Sequence, residues 1–149
     1  MAAWPMDEAF LPRLPAVPFL QLEEDGRASL RGSRCDACGA IAPGERVVCN
    51  ACGARGKMIP VTLGDHGKLY TYTIVHRSLP GVKTPFIAAI VDLAGGGALK
   101  GVLLDVMPDP AAISYDLPVR VVFRETGQSA ADGSPFISYF FVPALSELG

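Results

Sequence analysis

Two short strings, CDACG over residues 35–39 and CNACG over 49–53, hold every cysteine of the chain: Cys35, Cys38, Cys49 and Cys52. A two-residue spacer lets both thiolates of a pair turn toward one ion. The glycine after each pair, Gly39 and Gly53, permits the tight backbone of such a knuckle. Four thiolates close a tetrahedron around zinc and leave no open position for water or substrate, so the chemistry expected is structural rather than catalytic. Iron in the same tetrahedron is the second choice, since a four-sulfur site suits either metal. Two disulfides are the third, but they call for an export signal and cysteines spread along the chain, whereas these lie within eighteen residues.

If the metal takes all four sulfurs, no thiol is left to act as a nucleophile. His66 lies in a Gly-Asp-His-Gly turn and His76 at the end of an apolar strand. Neither has a serine, carboxylate or second histidine at a catalytic spacing. The run Glu23, Glu24, Asp25 reads as solvated surface. Gly95, Gly96 and Gly97 lack the Lys-Ser/Thr of a phosphate loop and read as a flexible hairpin tip.

Charge is close to balanced overall, at −2, which gives little general attraction to nucleic acid or anionic lipid. It is uneven locally. Residues 27–57 carry Arg27, Arg31, Arg34, Arg46, Arg55 and Lys57 against Asp36 and Glu45, a formal excess of four. A tetrathiolate zinc of about minus two offsets half of it. The excess either simply balances that centre or serves phosphate groups or a partner's acidic face, with Arg34, Arg46, Arg55 and Lys57 as the candidate contacts.

The elements that must position these residues read as mainly β. Half of the 149 residues are apolar, enough to bury a core. After residue 57, strands alternate with turn signals at short intervals, the pattern of a small sandwich or barrel. The spans are Met58 to Leu63, Lys68 to Arg77, Phe86 to Leu93, Ala98 to Val106, Val119 to Glu125 and Phe136 to Val142. Phe86 to Leu93 is almost continuously apolar, as a strand covered on both sides would be. A short helix is expected only around Asp109 to Tyr115. Residues 1–26 combine four prolines with Trp4, Phe10, Phe19 and several leucines, so an extended apolar segment is expected there. It either folds back on the domain behind it or lies on another protein, with Trp4, Phe10 and Phe19 as interface candidates. No apolar run reaches the roughly 18 to 20 residues of a membrane helix, and no basic-then-apolar leader opens the chain, which suggests a soluble cytoplasmic protein.

The order of parts then becomes recognisable: CxxCG twice, GKLYTYTIVH over 67–76, and PFIAAIVDL over 85–93. From about residue 19 to 143 the chain resembles the family of small acyl-CoA-associated proteins that accompany thiolase-like enzymes. The resemblance implies a rubredoxin-like zinc ribbon followed by a five-stranded OB-fold barrel, divided as 1–26, 27–57 and 58–149. It also implies a non-catalytic accessory subunit of a heteromeric thiolase, retro-aldolase or acyltransferase. The catalytic groups would reside in the partner chain, and a coenzyme A thioester would be a shared ligand. The competing reading is a single-stranded nucleic-acid binder, since OB-folds stack bases on aromatic residues and Tyr70, Tyr72 and Phe86 are available. The acidic pI near 5.6 speaks against it. An independent enzyme is the least favoured.

Overall fold

The computed structural model describes residues 13–23 and 27–144. Among the described residues ten strands form: β1 (Leu14–Pro15), β2 (Leu20–Leu22), β3 (Ala28–Cys35), β4 (Ile41–Pro43), β5 (Met58–Thr62), β6 (His66–Val75), β7 (Phe86–Leu93), β8 (Ala98–Leu103), β9 (Pro118–Ser129) and β10 (Pro135–Pro143). The helical content of the described residues is one 3-10 turn, Pro110–Ala112, capped by the Asp109 carboxylate accepting from the Ala111 amide. Its two prolines nearby leave too few amide donors for anything longer.

Strands β6 to β10 close into a five-stranded barrel. β6 pairs with β7 and β7 with β8; β8 meets β10 in parallel, β10 pairs with β9, and β9 returns to β6. This is the OB-fold expected from the sequence. A single β6 can serve both neighbours because its ladder to β7 is interrupted between Leu69 and Thr71, and such a bulge bends a strand. Tyr70 falls at that interruption and is exposed, so the strict two-residue alternation of GKLYTYTIV breaks there.

β7 supplies the barrel wall in the alternating sense. Ile87, Ala89, Val91 and Leu93 point inward and are buried, while Phe86, Ala88 and Ile90 are half-buried and Asp92 is exposed. The apolar run thus reflects one fully buried face and one partly covered face.

The second sheet is built on β3, which ladders to β2, β4 and β5. Met58–Thr62 therefore pairs with the ribbon strand, Cys35 opposite Met58 and Arg31 opposite Thr62, although its sequence position suggested the start of the barrel. Pro60 and the β-branched Ile59, Val61 and Thr62 give no local signal of which strand it joins; only the tertiary ladder decides. Leu20 and Leu30 of this sheet, Leu63 after β5, and Leu69, Val91, Leu99 and Phe141 of the barrel belong to one continuous core.

Residues 13–19, ahead of β2, fold back on the body of the protein. β1 runs parallel to β10, Leu14 opposite Phe136. The ring of Phe19 lies 5.7 Å from that of Tyr139, which in turn lies 6.1 Å from Phe141 in the core. Phe19 is thus spent at least partly on an internal contact; Trp4 and Phe10 lie outside the described residues.

Candidate metal centre and its surroundings

The two cysteine motifs form two knuckles with the same backbone. In the first, the Gly39 amide donates to the Cys35 carbonyl (2.7 Å) and the Cys35 amide to the Ala40 carbonyl (2.8 Å). In the second, Gly53 donates to Cys49 (2.8 Å) and Cys49 to Ala54 (2.9 Å). The residue before each knuckle pairs with the residue that follows it seven positions on: Arg34 with Ile41 in the β3–β4 hairpin, Val48 with Arg55 in an isolated bridge. Gly39 and Gly53 have φ of 82° and 78°, which only glycine adopts without strain. The Asp36 amide donates to the Lys57 carbonyl (2.8 Å), tying the exit of the second knuckle to the first.

This arrangement brings the four sulfurs together. All lie within 4.8 Å of one another. Cys35 to Cys52 and Cys38 to Cys49 are each 3.7 Å, far outside a disulfide bond. A tetrahedron with metal–sulfur bonds of about 2.3 Å has edges of about 3.8 Å, so the donor set fits a tetrathiolate metal. Cys35 and Cys49 are buried and Cys38 and Cys52 exposed, so the centre sits at the surface with its inner half covered.

The electrostatics agree. The amides of Cys52 and Ala51 are directed at Cys49 and hold its thiol down to about 6. The Ala51 amide donates to that sulfur at 3.3 Å. At Cys38 the Ala40 amide pulls the same way, but burial and the sulfurs of Cys49, Cys52 and Cys35 outweigh it, and the thiol is pushed up to about 12. Four sulfurs this close do not all ionise unless a cation joins them.

The candidate cations are dispersed over the ribbon. Arg34 is half-buried in β3 with Ile41 and Ile59 opposite it. Arg55 closes the second knuckle and Lys57 precedes β5; both are exposed. Arg46 is exposed and lines a cleft shared with Arg31, a residue not singled out on sequence. Alternation along β3 was the available signal, since it places Arg31 and Ser33 on the face opposite Arg34.

Of the two histidines, His76 is exposed just after β6 and lines a shallow pocket with Tyr72, Met107 and Asp109. His66 Nδ1 lies 2.9 Å from Asp65 Oδ1, with both side chains mostly exposed. That hydrogen bond keeps the Asp65 carboxyl below its ordinary value. Of the aromatic residues considered for base stacking, Tyr70 is exposed at the bulge, while Tyr72 is half-buried with its ring 5.6 Å from Tyr115. Phe86 is half-buried on the adjoining strand.

The family described as "ChsH2, C-terminal OB-fold domain" matches residues 60–124. A "DUF35 domain-containing scaffold protein" of Methanocaldococcus jannaschii is 30% identical over 119 residues, covering 78% of this chain and 83% of its own length. The chain belongs to the DUF35 family. Another relative, the "Benzoylsuccinyl-CoA thiolase subunit BbsA" of Thauera aromatica, is 30% identical over 125 residues and covered to 83%, as is this chain. Among solved structures, the "Ltp2-ChsH2(DUF35) aldolase" superposes with a TM-score of 0.58 at 26% identity, over 78% of this chain and 85% of the other. Matches of 119 and 125 residues in a chain of 149 are long enough to include residues of both the ribbon and the barrel.

Proposed function

We propose that this chain is a non-catalytic accessory subunit of a heteromeric thiolase-like enzyme, a thiolase, retro-aldolase or acyltransferase acting on acyl-CoA. In this reading the partner holds the reacting groups. The chain stabilises that partner and helps shape the acyl-CoA site, where positioning alone can contribute several kcal/mol. The observation that carries the reading is the match, over more than four fifths of both chains, to a named subunit of a benzoylsuccinyl-CoA thiolase. The scaffold relative and the aldolase structure support it from two other directions.

We assign zinc to the four cysteines in a structural role. The cation-rich ribbon, with Arg34, Arg46, Arg55 and Lys57, is assigned to contacts with the partner or with the phosphates of its CoA ligand, by the affinity of such side chains for anions. Among the described residues no helix is long and apolar enough to cross a membrane. Free thiols packed around a metal fit a reducing compartment such as the cytoplasm.

The test is purification of the full-length chain with whatever thiolase-like polypeptide accompanies it, followed by assay of thiolysis and aldol cleavage. Activity is expected in the complex, none in this chain alone, and a large loss in the partner when it is stripped away. Full activity of the stripped partner would refute the reading.

A further inference from the structure

The charge imbalance between ribbon and remainder is larger than the total suggests. Outside residues 27–57 the chain holds seven basic and thirteen acidic residues, so an excess of four positive charges faces an excess of six negative ones. Two of the ribbon cations are not used internally: neither the Arg31 nor the Arg46 guanidinium has a hydrogen-bond or ion-pair partner among the described residues. Both line one cleft of about 980 Å3, whose walls include Phe19, Val47, Met58 and Pro60. Glu45 also lines it, leaving a net positive charge. At its rim Val47 is 68% exposed, and Val48 and Ile59 are exposed nearby on the ribbon.

An isolated monomer gains nothing from an exposed valine beside two unpaired arginines. Arginine and methionine around an apolar floor are, however, the composition of protein–protein interfaces, where the weakly hydrated guanidinium grips a carboxylate through two parallel hydrogen bonds. The volume lies at the upper end of what small ligands occupy, about 300–1,000 Å3. The acidic remainder of the chain would repel a negatively charged segment everywhere else, which favours this one location.

We infer that this cleft is a docking groove for an extended acidic segment of the thiolase-like partner. A carboxylate lies between Arg31 and Arg46, and its flanking apolar side chains rest on Val47, Met58 and Pro60. The inference rests on the accessory-subunit reading and adds where on this chain the partner sits.

The test uses the full-length chain and the thiolase-like polypeptide that co-purifies with it. Dissociation constants are measured for the wild type, Arg31→Glu, Arg46→Glu, Val47→Asp and, as a control on the barrel, Lys68→Glu, with metal content and melting temperature checking each fold. Hydrogen exchange of the wild-type chain, free and in complex, supplies a readout that needs no substitution. Each ribbon variant is expected to weaken association at least about tenfold, Lys68→Glu to leave it unchanged, and residues 31–33 and 44–47 to gain protection in the complex. Unaltered affinity in metal-loaded ribbon variants, or no protection of those residues, overturns the groove while leaving the accessory reading intact. So does loss of coenzyme A binding by the isolated variants with partner affinity unchanged, which would make the cleft a small-anion site. If the wild-type chains form no complex, both fall.

Discussion

Ile41 of the ribbon rests directly on Gly96 of the barrel: a β-carbon added at Gly96 would lie 2.9 Å from Ile41 Cδ1 and 3.6 Å from Cγ1. Gly96 sits at the tip of the β7–β8 hairpin with φ of 119°. Ile41 follows the first cysteine knuckle and faces Arg34 across the β3–β4 pair. The hairpin tip is therefore a seat for the ribbon, and it sets the position of the four-cysteine cluster relative to the barrel.

Gly96→Ala is expected to lose about 1–3 kcal/mol of stability, from the strained φ together with the contact to Ile41. Ile41→Ala in the same background should restore only part of that loss, because shortening the neighbour relieves the contact and leaves the dihedral strain. Denaturant midpoints of the two single variants and the double variant measure this coupling. Strict additivity would show that the two residues do not touch.

That seat illustrates what the sequence does and does not disclose. Spacing alone marks the cysteine motifs, because Cys-x2-Cys-Gly needs only local geometry to form a knuckle. The strands from Lys68 onward are legible for the same reason: apolar runs bounded by Gly and Pro are local signals. Three features depend on contacts far apart in the chain and leave no such trace. The triple glycine reads as a loose tip until Ile41 is set against it. Met58–Thr62 reads as a barrel strand until its ladder to β3 is seen. Arg31 is one cation among six until the cleft with Arg46 closes around it.

Removing the metal should unfold the ribbon and not the barrel's own ladder. One tightly held divalent ion per chain is expected, lost in Cys35→Ser or Cys49→Ser and on chelation. Acid should release it as well, since the ligands must be deprotonated. Elemental analysis and hydrogen exchange check this: protection should vanish over 35–57 and persist over β7 and β10. A fully alkylated chain with unaltered exchange across 35–57 would show that the metal plays no structural part.

Among the described residues Phe141 is the largest side chain with no exposed surface, and it joins the Tyr139–Phe19 ring series to the barrel core. Phe141→Ala is expected to cost about 3–5 kcal/mol, the usual range for a buried aromatic. Chemical denaturation of the metal-loaded protein gives the value. A loss under about 1 kcal/mol would contradict the packing described.

Tyr139 donates its hydroxyl to the Lys100 carbonyl, and burial raises its phenol above the ordinary value. A raised folded-state value means the folded protein holds that proton more tightly. The stabilisation is fully present below the unfolded tyrosine's pKa and is lost as pH rises through the folded one. Tyr139→Phe should therefore cost about 0.5–1.5 kcal/mol near neutrality and flatten the alkaline decline in stability. Melting temperatures of both proteins across the alkaline range test this, and parallel curves would refute the assignment.

The most direct measurement of the account's central claim is the location of the acyl group during turnover. The complex is incubated with an acyl-CoA substrate, quenched in acid and mapped by peptide mass spectrometry, with a metal-loaded sample of this chain treated alongside. Any covalent acyl intermediate is predicted to lie on the partner, with Cys35, Cys38, Cys49 and Cys52 unmodified. A turnover-dependent acyl group on any of those four sulfurs would contradict the claim that this chain supplies shape and support while its companion supplies the chemistry.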